Sequence, residues 1–381
     1  EDWKYTDLRA QLREAFDFAD APTEPPAHPW LDELDGKTHR IEFVDGLLRS
    51  GLDALPEGLE VIAMTDWSDD APAWLRTAMP APTPDDRRPL LALNTALMQA
   101  GVAVRVPKGV QLARPIEFVY AQSGHRTQSQ IRVVVVVEEG ASVTCVESFV
   151  GAGGGFSNSV FDLVLGNAAR VDHVKMMGAA ADALHVSSLT ARIGADAAYD
   201  GLYLTEGSAL SRHDGRYVVE GDGGSVTVNG AYMLADGRHA DVTTVVDHAQ
   251  PHGTSRQTVH GVLAGRSKGV FQGRVHVFPD AQSTDAHQLS KAILLSEKAE
   301  MDAKPELEIY ADDVKCAHGA TVGELDAQAI FYLRSRGLPL PAAKSLLIEA
   351  FLDDIVDHVA DGVIKAALKS RIAGWLAEHA D

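Results

Sequence analysis

The sequence predicts a mainly β fold with helices at both ends, and three observations carry that reading. Short β-rich runs recur from Gly101 to about Ile309: Val102–Val106, Ile116–Tyr120, Ile131–Val137, Val143–Val150, Val160–Leu165, Val186–Arg192, Tyr217–Glu220, Val226–Met233 and Val242–Val246. Turn residues separate them, among them Glu139-Gly140, Gly166-Asn167, Gly194, Gly221-Asp222-Gly223-Gly224 and Asp236-Gly237. Convincing helical periodicity is almost absent across this span and is confined to the ends. Many short strands with turn punctuation point to a sandwich, a barrel or a β-solenoid. The spacing shows no strict period, so the residues alone leave these three open.

The elements follow in order. Residues 1–100 form a mixed N-terminal segment. Leu8, Leu12 and Phe16 are spaced for an amphipathic helix that the Pro22–Pro29 region ends. His39–Val44 reads as a strand running into an Asp45-Gly46 turn. Residues 80–89, rich in Pro and Asp, read as a loop, and Leu90–Ala100 is helical in character. A β-rich core over 101–320 follows. Beyond it, 321–381 is helical: Leu325–Arg336 stops at Gly337, a favoured residue just past a helix end. Pro341 opens a second helix through His358 with Leu347, Phe351 and Ile355 on one stripe, and Asp361-Gly362 breaks it. Val363, Ala367, Ile372 and Trp375 mark a third.

Composition bounds the function. At 381 residues the chain buries a sizeable core, and no run of 18 apolar residues suggests a membrane span. The formal net charge of −20 argues against binding nucleic acid or anionic lipid. The two cysteines, Cys145 and Cys316, form no C-x-x-C motif. That speaks against a disulfide framework, fits a reducing compartment, and is too few thiols for an all-cysteine iron–sulfur cluster. The sequence opens on Glu1 rather than Met, so any targeting segment upstream lies beyond reading. The expectation is a cytoplasmic protein, or a plastid one if a transit peptide preceded Glu1.

Several motifs fail on spacing or context. No G-x-x-x-x-G-K-[ST] is present, so ATP chemistry would belong to another subunit. Gly151–Gly155 fails the dinucleotide spacing, with Phe156 and Asn158 where glycines are needed. Gly265-Arg266-Ser267-Lys268-Gly269 matches G-x-S-x-G, but Val270–Val277 reads as strand where a nucleophile elbow needs a helix. His248 and His252 have the four-residue zinc spacing, yet Pro251 lies between them and the context is not helical. His213 and His239 sit beside turns and read as solvated. Cys145 reads as a small inward core residue.

The segment from Lys304 to Gly337 says most about function. It reads as extended up to Gly323 and carries Cys316 with His318 two positions on. In a strand, residues i and i+2 share a face with Cα atoms roughly 6–7 Å apart, so a thiolate and an imidazole could approach one soft metal or a cluster edge. Asp312 and Asp313 could add carboxylate ligands, although acidic residues at a strand end are commonly just solvated.

This string, KPELEIYADDVKCAHGATVGELDAQAIFYLRSRG, resembles the C-terminal signature of the SufB/SufD scaffold family of the SUF iron–sulfur cluster assembly system. Its core, Lys315-Cys316-Ala317-His318-Gly319-Ala320-Thr321-Val322-Gly323, has the SufD form; SufB has an acidic variant and usually more cysteines. Glu1-Asp2-Trp3-Lys4-Tyr5-Thr6-Asp7-Leu8 is similar to a block near the start of family members. Lys268-Gly269-Val270-Phe271-Gln272-Gly273, followed by Ala281-Gln282 and Leu294-Leu295-Ser296-Glu297, supplies a third match. Residues 20–100 match only loosely.

The resemblance implies a right-handed parallel β-helix core and a non-enzymatic scaffold. It implies pairing with SufB through the C-terminal strands, C-terminal helices that dock the ATPase SufC, and a homodimer when isolated. Cys316 and His318 would then lie at the SufB interface and share a nascent iron–sulfur cluster, or iron, with SufB, held transiently and not by the isolated chain. ATP-driven dimerisation of SufC would open that interface. A β-helix carbohydrate-active enzyme and a purely architectural subunit are the competing classes.

Overall fold

The computed structural model describes all residues except 1–2, 10, 13–14, 22, 65–70, 80–87, 125 and 380–381. The strands, in chain order, are β1 (His39–Val44), β2 (Leu47–Ser50), β3 (Glu60–Ala63), β4 (Ala100–Val106), β5 (Ile116–Gln122), β6 (Gln128–Val137), β7 (Ser142–Gly151), β8 (Phe156–Leu165), β9 (Arg170–Gly178) and β10 (Leu184–Ile193). They continue with β11 (Ala198–Thr205), β12 (Leu210–Val219), β13 (Ser225–Leu234), β14 (His239–His248), β15 (Thr254–Leu263), β16 (Lys268–Val277), β17 (Asp285–Leu294), β18 (Glu300–Ile309) and β19 (Lys315–Gly323). The helices are α1 (Pro29–Leu34), α2 (Ala73–Ala78), α3 (Pro89–Leu97), α4 (Ala327–Ser335), α5 (Leu340–Val356) and α6 (Gly362–His379).

From β4 onward the strands alternate between two sheets. Odd strands run β19-β17-β15-β13-β11-β9-β7-β5-β1-β2, and even strands run β18-β16-β14-β12-β10-β8-β6-β4-β3. Every neighbour in both sheets is parallel except at the start, where β1–β2 and β3–β4 are antiparallel. This is a parallel β-helix of about eight turns.

Residues in the same register stack on successive turns, about 4.8 Å apart. One interior column reads Val137, Leu165, Ile193, Val219, His248, Val277, Ile309. The interior is lined by such stacks, including Val102, Phe118, Val133, Phe161, Leu189, Val242 and Phe271. The outer face of the odd sheet is apolar too, because α1, α5 and α6 cover it. Val119, Val146, Leu202, Met233 and Val262 meet Leu31, Ile348, Leu352, Ile372 and Trp375 there. A sheet buried on both faces reads as continuous hydrophobic runs, which is how the strands first showed in sequence.

One corner of every turn is built alike. Gly109, Gly140, Ala168, Asp196, Gly223, His252 and Ser283 all have left-handed φ between 54° and 73°. Each donates its backbone N–H to the next turn up, from Gly109 to Glu139 O at 3.0 Å through Ser283 to Asp313 O at 2.7 Å. The repeat therefore lies in the backbone, and only three of the seven positions use glycine, the residue that enters this region without steric cost.

The ends depart from expectation in places. Described residues among 3–12 form turns, not a helix, although Trp3, Leu8, Leu12 and Phe16 do pack against Leu90, Phe156, Leu184, Val186 and Leu210. Isolated hydrogen bonds close a single turn at Leu8–Leu12, and side-chain anchoring takes over: Thr6 Oγ1 donates to Asp241 Oδ2 at 2.5 Å, and the Arg212 guanidinium lies 4.1 Å from the Trp3 ring centre. Glu1, Asp2, Pro22 and most of the expected 80–89 loop lie outside the described residues. His39–Val44 is a strand as read, and the helix near Leu90 is α3. Among the C-terminal helices, α4 ends before Gly337, whose φ is +97°. Asp361, read as a break, caps α6 by accepting from Val363 N and Ile364 N. Val363 is exposed, and the buried stripe of α6 is Ile364, Ala367, Leu368, Ile372, Trp375 and Leu376.

Candidate functional site

Cys316 and His318 both lie on β19, the outermost strand of the odd sheet. In register, Cys316 stacks on Ala286 and His318 on Gln288. Following the columns inward, Ala286 stacks on Ser255 and Val226, and Gln288 stacks on Gln257 and Val228. All of these are buried inside the β-helix. The two candidate ligands therefore share the interior-facing side of the last turn and stand at the rim of the open end, with Ala303, Pro305 and Leu307 of β18 on the same turn.

This turn is the least buried of the β-helix. Residues of β19 are half-buried or exposed throughout, and β18 has no fully buried residue. Both strands are sheet edges, so each presents a row of backbone N–H and C=O groups on its free side. His318 is exposed and Cys316 half-buried. Burial raises the Cys316 thiol pKa and Asp285 adds to that, while a hydrogen bond with the Ala286 backbone opposes them. Among the described residues no group of three or more His, Cys, Asp and Glu is placed to hold a metal ion.

The other candidates fall outside this site. Asp313 is a corner residue: its N–H donates to Gln282 Oε1 at 3.0 Å and its carboxylate accepts from Ser283 Oγ at 3.2 Å. Asp312 is exposed beside it. His248 and His252 do not converge. His248 is buried and hydrogen-bonded to Ser255 Oγ at 2.9 Å, whereas His252 is exposed and paired with Asp222 at 2.7 Å. Burial lowers the His248 pKa to about 4. Ser267 is buried in a turn and donates to Ala264 O at 2.7 Å, so no nucleophile elbow exists there. Cys145 is fully buried, as its alternation suggested.

Two histidines correct the sequence reading. His213, expected in solvent, is buried, and His239 is half-buried with its Nε2 3.0 Å from Thr6 Oγ1. His213 belongs to an interior polar group that the register of neighbouring turns brings together. At its centre the Glu147 carboxylate lies 3.3 Å from Lys175 Nζ and 3.2 Å from His173 Nε2. His173 Nδ1 and the Tyr199 hydroxyl are 3.0 Å apart, and His213 Nδ1 and Ser187 Oγ are 2.9 Å apart. Burial pushes the Glu147 carboxyl up, but Lys175, His173 and His213 outweigh it and hold its pKa at about 2. Burial and the Lys175 charge push His185 down to about 3 and His213 well below its usual range. The signal available beforehand was polar residues at inward positions of strands; only the register shows that they meet.

Family comparison agrees with this architecture. The N-terminal region of SufBD proteins matches residues 38–118, and the SufBD core domain of SUF system FeS cluster assembly matches residues 118–351, well over half of the chain. The chain belongs to the SufBD family. An iron–sulfur cluster assembly SufBD family protein of Synechocystis sp. is 29% identical over 391 residues, covering 98% of this chain and 86% of the relative. The iron–sulfur cluster assembly protein SufD of Escherichia coli K12 is 27% identical over 379 residues, covering 98% and 87%. A chloroplastic protein of Arabidopsis thaliana, ABCI7, is 30% identical over 287 residues, covering 72% and 60%. This SufBD chain has no helix among its described residues long and apolar enough to cross a membrane.

Proposed function

We propose that this chain is a non-enzymatic scaffold subunit of the SufD type. It pairs with SufB at the open end of its β-helix, docks the ATPase SufC through its C-terminal helices, and shares a nascent cluster or iron between Cys316 and His318 and ligands from SufB. The observation that carries the reading is the placement of a thiol and an imidazole together on the C-terminal turn, whose strands are sheet edges and are the least buried of the β-helix among the described residues. Two donors are too few to hold a cluster. A pairing partner that covers the rim would bring the rest, and ligation divided between chains leaves the cluster easier to hand on. The exposed face of α4, with Phe331 75% and Tyr332 57% exposed, gives the C-terminal region a surface for a second partner. In isolation the same open edges favour a homodimer.

The test is co-expression with SufB and SufC and purification through this chain. Wild type and His318→Ala are compared for subunit stoichiometry, iron and sulfide. Partners retained with cluster lost supports the scaffold and its site. Equal cluster in both sinks the role of His318, and failure to recover SufB and SufC sinks the scaffold.

A further inference from the structure

We propose that Gln288 is a positioning residue of the C-terminal turn: its side-chain carbonyl accepts the His318 ring N–H that is turned away from iron, and so fixes which nitrogen His318 presents. This role rests on the site proposed above and adds a residue to it. Gln288 is 3% exposed, and among the described residues it is the only buried side chain with two polar atoms that both lack a hydrogen-bond partner. An unpaired buried amide costs the folded chain the desolvation of both atoms, so its presence calls for a bond made outside the fold of the free chain.

The register puts that amide directly beneath the imidazole. Gln288 of β17 stacks under His318 of β19, and Gln257 of β15 stacks under Gln288. Stacked residues stand about 4.8 Å apart, so a glutamine leaning up the axis brings its carbonyl within reach of a ring on the next turn. From below the amide is held in place. A Cβ at Gly273 would start 3.1 Å from Gln288 Nε2 and closer still to the Phe271 ring, so amide and ring together fill the space over Gly273. Gln288 thus reaches across to the even sheet and floors the C-terminal turn.

The neighbours offer no equivalent acceptor. The inward residues beside His318 are Cys316 and Ala320 on its own strand and Ala303, Pro305 and Leu307 on β18. None has a side-chain oxygen. Ser290 is inward on β17 but stacks beneath Ala320, and the Gln257 carbonyl is engaged by Thr244 Oγ1 at 2.5 Å. An imidazole that binds metal through one nitrogen donates its other N–H to an acceptor, which sets its tautomer and orientation. His318 is exposed in the chain alone, and a partner seated on the rim would press its ring toward this floor.

Stability and cluster retention should then respond to Gln288 in opposite directions. An apolar side chain of similar size removes two unsatisfied atoms and stabilises the free chain, or at least does not weaken it. The same change leaves the His318 N–H without its acceptor, a loss that weakens metal binding roughly 10–100-fold in comparable sites. A glutamine bonded within the fold would lower both when replaced, and one that only filled space would leave the cluster untouched.

The test compares wild type, Gln288→Leu, Gln288→Glu and His318→Ala, each as the full isolated chain and in the complex co-expressed with SufB and SufC. Urea unfolding of the isolated chain reads stability, and iron and sulfide per purified complex read the cluster. Gln288→Leu should unfold at a urea midpoint no lower than wild type, while its complex keeps its stoichiometry and holds about tenfold less iron and sulfide. Gln288→Glu retains an acceptor carbonyl at the same reach and should restore most of the cluster. Gln288→Met serves if the leucine variant fails to fold. Wild-type cluster in Gln288→Leu, a Gln288→Glu complex as depleted as the leucine one, or a urea midpoint that falls together with the cluster overturns the role. Cluster retained in His318→Ala overturns the site reading and this role with it. Cluster lost in His318→Ala but kept in Gln288→Leu overturns the role of Gln288 alone.

Discussion

Acid should unfold this protein steeply, and the interior histidines set the slope. Burial holds His185 at about 3 and His248 at about 4, with His213 well below its usual range. In the unfolded chain each returns to about 6.5. Between these limits the unfolded state binds protons that the folded state refuses, so stability is full above about pH 6.5 and is lost as pH falls. At pH 5.5 these three groups alone take up nearly three protons on unfolding. Each proton is worth about 1.4 kcal/mol per pH unit, so stability should fall by roughly 4 kcal/mol between pH 6 and pH 5. Glu147 acts lower: its carboxylate, held at about 2, contributes above the unfolded value and is lost only between about pH 4.5 and 2. The assay is urea unfolding at pH 7, 6, 5.5 and 5, with proton uptake measured in weak buffer. His185→Phe keeps a ring against Phe149, 4.4 Å away in the native pair, and removes one titrating group. It should reduce the slope by one proton. A wild-type slope of one proton or less, or a slope that His185→Phe leaves unchanged, would refute the reasoning.

Three further outcomes follow from single contacts. Lys175→Met strands the buried Glu147 carboxylate and should cost about 3–5 kcal/mol in urea unfolding, while adding Glu147→Leu should recover most of it. Ala168→Gly relieves a left-handed φ of 56° at an exposed corner and should stabilise by about 1 kcal/mol, read as a raised Tm. Arg371→Ala removes the guanidinium from the buried Glu206 carboxylate, which joins α6 to the β11–β12 corner. It should make 362–379 the first site of limited proteolysis, and an unchanged digestion pattern would show that α6 is held by its apolar stripe alone.

What could be read beforehand divides along a physical line. Helix ends were legible because caps are local: Gly337 takes a conformation that few other residues accept, and Pro341 cannot be a helix interior. Strands such as β6 and β10 were legible because an aliphatic run needs only its own neighbours to declare it. β9, β11, β15 and β17 were passed over because their inward positions hold His173, Lys175, Gly201, Ser255, Gln257 and Gln288, which break the apolar alternation. In a parallel β-helix those residues are matched by the turns above and below, and the matched spacing is 26 residues from Leu184 to Leu210 but 31 from Thr254 to Asp285. A spacing that varies this much leaves no period in the sequence, while the backbone corners hold the register regardless.

The same line runs through the site. Cys316 and His318 could be placed on one face from strand alternation alone. That the face is the mouth of an interior, with Gln288 beneath His318, depends on a pairing between residues thirty positions apart. His213 fails in the opposite direction: beside a turn in sequence it reads as solvated, yet its column turns inward and joins Glu147 and Lys175. Burying those charges is tolerated because each finds its partner on a neighbouring turn. It is this long-range pairing, more than the composition of any one strand, that lets the core of the β-helix hold Glu147, Lys175 and His173 among its apolar columns.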